Sequence, residues 1–216
     1  MLKVECFVCN DFSVNSYIVY DVETLEAAII DPGCSSEAEW DPMEYLLKTK
    51  SLKVKYILIT HSHVDHIMGT GFAADRLHIA VSGSKDDEAC LPTQEMQARF
   101  FGVPSSTLYH PIDIDLKEGS RLSLGEEMIE VIDIPGHSFH GLLFYAPSTG
   151  VLFSGDVLFR GSIGRSDFGA NKGCNGQLLL EGIHNKILSL PDNTIVYPGH
   201  GPYTTIATER FINPYL

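Results

Sequence analysis

Two β-sheets packed face to face, with helices over their outer faces, form the α/β architecture that this sequence predicts. Three observations carry the expectation. Strand-like runs occur in both halves of the chain, and helical patterns accompany each set. A strand, a tight turn and a metal-ligand side chain recur together four times, as a sheet edge presenting a metal site requires. The chain has 216 residues, of which 44% are apolar. That is enough to bury one core, so one domain over residues 1–216 is expected.

Residues 2–8, 14–20 and 27–30 read as three consecutive strands, with Asn10-Asp11 and residues 21–24 as turns. Asp31-Pro32-Gly33 breaks the third. A helix should begin at Ser36 or at Asp41. Ser36 with Glu39 and Asp41 with Glu44 both have capping-box spacing, and Pro42 suits a first helical position. Its apolar stripe would be Met43, Leu46 and Leu47. Residues 54–59 are β-branched and apolar, a buried strand. A helix over 67–76, a strand over 78–81, and helices over 85–89 and 93–101 follow, the last ended by Gly102. No chemistry is evident in that middle segment. Residues 121–124, 128–134, 141–145 and 151–153 return to strands. Residues 177–189 form an amphipathic helix with Leu178, Leu179, Ile183 and Ile187 inward. Residues 194–197 are a last strand and 205–211 a last helix.

The chemistry concentrates after the 54–59 strand, in Thr60-His61-Ser62-His63-Val64-Asp65-His66. Histidines at i and i+2 suit an extended or tightly turned loop, not one face of a helix. Adjacent Asp65 and His66 cannot easily share one coordination direction. The spacing therefore predicts two metals, with His61 and His63 on one and Asp65 and His66 on the other. Three further candidates stand at strand ends: His137 in Pro135-Gly136-His137, Asp156 in Ser154-Gly155-Asp156, and His200 in Pro198-Gly199-His200. Glycine beside each permits a close backbone path.

Composition narrows the partners. A formal net charge of −13 disfavours nucleic acid and anionic membrane surfaces, which are bound by clustered Lys and Arg. No run is long and apolar enough to span a bilayer, and the charged N-terminus lacks a signal-peptide core. Five cysteines make no disulfide framework, as in a reducing compartment. A cytoplasmic protein acting on a small molecule is expected, and no feature specifies an oligomer. Cys6 and Cys9 fall on opposite faces of a strand.

These motifs resemble the metallo-β-lactamase superfamily, in order and across nearly the whole chain. The resemblance implies an αββα sandwich of two mixed sheets. It implies that His61, His63 and His137 bind a first metal, that Asp65, His66 and His200 bind a second, and that Asp156 bridges them. Asp31 matches a structural acid that steadies the ligand loop. His66 excludes the β-lactamase branch whose loop lacks that histidine. Residues 153–159 and 198–205 are similar to hydroxyacylglutathione hydrolase, or glyoxalase II, and its short relatives. Two departures stand out. Only 16 residues follow His200, where glyoxalase II has a helical domain that helps hold glutathione. Ser138-Phe139-His140 also replaces the small residues usual after the Pro-Gly-His.

The resemblance implies hydrolysis of a small anionic thioester by hydroxide shared between two divalent ions, zinc first, with iron or manganese as alternatives. Asp65 would orient the nucleophile and take its proton. Arg165, Lys172 and His140 are candidate substrate contacts, Arg165 either binding a carboxylate or pairing with Asp167. Residues 161–168 also resemble a loop of persulfide dioxygenases, which use one iron; His61, His137 and Asp156 could supply its ligands. A non-hydrolytic diiron module, as in flavin-linked diiron proteins, is the third reading.

Overall fold

The computed structural model describes residues 1–103, 109–169 and 173–216. The chain begins with a meander of β1 (Leu2–Cys9), β2 (Val14–Asp21) and β3 (Glu26–Ile30). Helix α1 (Glu37–Thr49) returns it to β4 (Lys53–Leu58), which lies parallel to β3. Helices α2 (Val64–Ile67) and α3 (Thr70–Leu77), strand β5 (Val81–Gly83), helices α4 (Lys85–Cys90) and α5 (Gln94–Phe101), and β6 (Ile114–Asp115) follow. Strands β1 to β6 form one mixed sheet in sequence order, antiparallel as far as β3 and parallel beyond it.

The second sheet is built from β7 (Arg121–Leu124), β8 (Glu127–Ile134), β9 (Gly141–Ala146) and β10 (Val151–Gly155). A small hairpin of β11 (Leu158–Phe159) and β12 (Ser162–Ile163) leads to α6 (Gly176–Gly182). Then come β13 (Ile195–Pro198), β14 (Thr204–Thr205) and α7 (Ile206–Ile212). The order is β14-β13-β10-β9-β8-β7, with β10 and β13 parallel.

Three apolar layers hold the two sheets and their helices together, as the αββα expectation requires. Along β2, Ile18 and Tyr20 pack toward Trp40, Met43 and Leu47 of α1. The alternate residues Tyr17 and Val19 face the second sheet, against Leu124, Val131, Phe144 and Phe153. That alternation explains why β2 is buried along its whole length. On the far side, Leu143, Leu152 and Val196 pack on Leu179, Ile183 and Ile187.

Several boundaries differ from the sequence expectation. Helix α1 starts after Ser36, and Pro42 lies inside it. The earlier start buries Trp40 completely. Glu39 does not reach back to Ser36; its carboxylate accepts from Ser35 N and Asn10 N. The helix expected over 67–76 is two helices, and the first begins early enough to carry Asp65 and His66. His78 is a left-handed cap ending α3, not the start of a strand. Leu178 faces solvent. After Gly182 the helix widens into a π turn over Ile183–Ile187, closed by Leu188 N donating to Ile183 O. The wider turn keeps Leu179, Ile183 and Ile187, each four residues apart, on one face.

Candidate metal centre

Beyond β4, side chains from elsewhere hold the backbone while the histidines project inward. Thr60 donates its N–H to Asp31 Oδ1 and its hydroxyl to Asp31 Oδ2, both at 2.7 Å. Ser62 N donates to Asp87 Oδ2 at 2.8 Å. Val64 N donates to Gln97 Oε1 at 3.0 Å, and Gln97 Nε2 donates to Ser62 O at 3.0 Å. Asn10 Nδ2 donates to the Asp65 carbonyl at 2.8 Å. With alternate residues tethered, His61 and His63 are left facing the centre.

The second sheet supplies the opposite half. His137 follows β8, Asp156 follows β10 and His200 follows β13. The last loop crosses to the first sheet: Val14 bridges to His200, Asn15 N donates to Gly199 O, and Tyr17 Oη donates to Pro198 O. Gly199 permits a close approach. A Cβ there would strike Asp156 Oδ1 and sit 2.7 Å from His66 Cε1.

The seven residues form adjoining groups of three: His61, His63 and His137; His61, His66 and Asp156; Asp65, His66 and His200. In the first, His63 Nδ1 lies 2.9 Å from His61 Nε2 and 3.0 Å from His137 Nε2. In the last, His200 Nε2 lies 3.1 Å and His66 Nε2 3.6 Å from Asp65 Oδ2. Asp156 stands between them. Its oxygens are 3.5 Å from His137 Nε2, 3.4 Å from His66 Nε2 and 3.6 Å from His200 Nε2.

Hydrogen bonds on the outer nitrogens set the tautomers. His137 Nδ1 donates to Arg165 O at 2.8 Å, and His200 Nδ1 to Ser13 O at 3.3 Å. His66 Nδ1 donates to Asp31 Oδ2 at 2.8 Å. Thr60 Oγ gives its own proton to Asp31, so it accepts from His61 Nδ1 at 3.1 Å. Each of these four rings therefore turns its Nε2 inward. His66 Nε2 and Asp156 Oδ1 are buried without a hydrogen-bond partner. Bare nitrogens and carboxylates converging in a buried space suit divalent cations, and the outer bonds are the support that metal-binding imidazoles require.

The two clusters differ electrostatically. Burial, then the neighbouring imidazoles, hold His61 well below the usual range, and push His63 down to about 3. For His66, burial acts downward but Asp65, Asp156 and Asp31 outweigh it and raise it well above the usual range. His200 is raised by Asp65 against the same opposition. Burial would raise Asp65 and Asp156; the His66 charge overcomes it and holds both below the carboxylate range. At neutral pH His61 and His63 are thus already deprotonated, whereas an ion at His66 must displace a proton. We expect affinity at the Asp65–His66–His200 group to rise with pH through the neutral range, and affinity at His61–His63 to change much less. Competition against a chelator at several pH values measures both. Equal slopes would contradict the assignment.

The other candidates divide. Asp31 accepts from Thr60 and from His66 Nδ1 behind the cluster. Arg165 lies at the rim of the cleft above the cluster, its Nε and Nη2 3.0 and 3.1 Å from the Asp167 carboxylate. His140 does not line the cleft; its Nδ1 is 2.7 Å from Asp133 Oδ2, and its N–H donates to Asp87 Oδ1 at 3.0 Å. Lys172 lies outside the described residues. Asp87 and Gln97, in the segment expected to carry no chemistry, hold the ligand loop. Their only local signal is a helix-start pattern, Ser84 Oγ accepting from Asp87 N.

The comparisons agree with this geometry. The metallo-beta-lactamase superfamily profile matches residues 9–200. Hydroxyacylglutathione hydrolase GloC of Haemophilus influenzae is 33% identical over 216 residues, covering 100% of this chain and 98% of that protein. The structure of BLEG-1 B3 metallo-beta-lactamase superposes with a TM-score of 0.87 at 37% identity, covering 99% of both chains. TTHA1623 in a di-iron-bound form gives 0.82 at 34% identity, covering 98% of this chain and 100% of that one. With that coverage, two mixed sheets under helices, and an inward-facing His/Asp cluster where the sheets meet, the chain belongs to the metallo-beta-lactamase superfamily.

Proposed function

We propose that this chain is a dinuclear, metal-dependent thioester hydrolase, acting in the cytoplasm on a small anionic acyl-thiol. The observation that carries the reading is the pair of adjoining ligand groups with Asp156 between them, at the floor of a cleft of about 790 Å³. The full-length similarity to a protein named hydroxyacylglutathione hydrolase supports thioesters over other acyl compounds.

His61, His63 and His137 would hold one ion and Asp65, His66 and His200 the other, with Asp156 shared. When bound, divalent cations supply a Lewis acid for the acyl oxygen and water of lowered pKa. Zinc, iron and manganese all suit imidazole and carboxylate ligands. Asp65 reaches the cleft and stays ionised because His66 and His200 offset its burial. Its carboxylate is placed to accept the proton of the attacking water. A thiol of pKa about 8.5 departs as thiolate without a strong acid beside it. Two divalent charges, less Asp65, Asp156 and one hydroxide, leave about +1 at the floor, which favours a carboxylate on the acyl group. All five cysteines are free thiols, in keeping with a reducing compartment, and among the described residues no helix is long and apolar enough to cross a membrane.

Elemental analysis of protein purified without added metal, alongside a panel of thioesters, a persulfide with oxygen uptake, and a β-lactam, tests the proposal. The expected result is two ions per chain at saturation and turnover confined to thioesters. Saturation at one ion with persulfide-dependent oxygen uptake would replace this reading with the one-iron dioxygenase.

A further inference from the structure

Helix α5 is turned inside out. Its buried residues are Gln94, Gln97 and Ala98, whereas Met96 is 62% and Phe101 46% exposed. A surface helix normally buries its apolar stripe. The cause is visible: Gln97 bonds to Val64 N, Ser62 O and Pro92 O. Holding the ligand loop with that glutamine faces the apolar side chains of α5 into the cleft.

Phe12 meets the Phe101 ring edge-on at 5.6 Å, completing one apolar wall. The facing wall carries Phe159, Ile163 and Phe168. Phe168 lies 6.0 Å from the His63 ring and 6.4 Å from the His137 ring, and Phe159 lies 6.2 Å from the His200 ring. An aromatic ring therefore stands beside each ligand group. Among the described residues, Arg165 is the one Lys or Arg lining the cleft. Asp167 pairs with it, and its guanidinium lies 4.5 Å over the Phe168 ring.

We infer that the thioester this site accepts carries an apolar limb, an aryl or branched alkyl group, seated between the α5 wall and Phe168. The inference rests on the hydrolase reading and narrows it. Charge is recognised at the metal floor, where one carboxylate suffices. Among the described residues, the walls above it offer dispersion contacts and few partners for a peptide-like thiol carrying several charges, such as glutathione. The cleft volume lies in the range of small-molecule pockets, and an apolar patch of this kind on a soluble protein marks a binding surface.

The test uses the metal-loaded protein and two substrate arms. In the first, acetyl and phenylacetyl thioesters share one hydroxyethyl thiol. In the second, hydroxyethyl and benzyl thiols share one acetyl group. An S-acyl glutathione of the same acyl group serves as reference. Non-hydrolysable amide analogues of each are bound by calorimetry. In at least one arm the aryl compound should show kcat/KM at least about tenfold higher, since even one methylene in an apolar pocket discriminates by about that factor. Phe101→Ala and Met96→Gln should each shrink that ratio severalfold, with metal content measured for both. The inference is overturned if neither limb gains, if the gain survives both substitutions, or if the glutathione thioester is preferred. If no thioester is turned over, the amides decide: aryl preference lost in Phe101→Ala retains the apolar wall and rejects the hydrolase, and no preference rejects both.

Discussion

Asp65→Asn, fully reloaded with metal, turns over thioester at least about a hundredfold more slowly than the parent protein. The carboxylate sits 3.1 Å from His200 Nε2 and 3.6 Å from His66 Nε2 and also faces the cleft. Under the proposed function it has two separable tasks, holding an ion and accepting a proton. An amide retains one oxygen with which to ligate but cannot take up the proton, and proton transfer by a positioned group is worth roughly 10²–10⁴-fold. The Michaelis constant should change little, because the lost interaction belongs to the transition state. Steady-state rates across a metal titration decide the matter. Recovery to near the parent rate at saturation would leave Asp65 a ligand alone.

Asp87→Ala should lower metal affinity or kcat/KM by about 10–100-fold, the usual consequence of removing a group that supports metal ligands. Asp87 touches no ligand side chain. It is fully buried and joins the two halves of the centre: Oδ2 accepts from Ser62 N, between His61 and His63, and Oδ1 accepts from His140 N, three residues beyond His137. Removing the carboxylate strands both N–H groups, each at about 1–3 kcal/mol, and frees the two loops to drift apart. Asp87→Asn grades the effect: its amide satisfies one N–H and opposes the other, so metal affinity and the thermal midpoint should both fall between those of the parent and the alanine variant. Unchanged metal affinity in both variants would show that the loops are set elsewhere.

The candidate ligands are legible because their signals are local. His61, His137, Asp156 and His200 each follow a strand by one to three residues, and glycine or proline marks the turn beside the later three. The supporting groups are not. Asp87 reads as an ordinary first-turn acid of a helix, and its partners lie 25 and 53 residues away. Helix α5 is the sharper case. An apolar stripe is ordinarily taken as the buried face, and nothing short of Gln97's bonds to Ser62 and Val64 reveals that here it faces a cleft. His140 is a different case: the sequence offers it as a candidate substrate contact, while its ring pairs with Asp133 on the preceding strand, a partner that the sequence does not announce.

The loop ending in His200 is held by Val14, Asn15 and Tyr17, so the centre joins residues nearly two hundred positions apart. Such pairings form late in folding, after the cost of closing long loops has been met. An ion shared across the seam between the sheets has no complete site in the unfolded chain or in a transition state where the sheets have yet to meet. Its binding energy therefore acts almost wholly on the native side of the barrier, leaving the folding rate unchanged and slowing escape from the folded state. A loaded metal centre would then double as a clasp on lifetime in this chain.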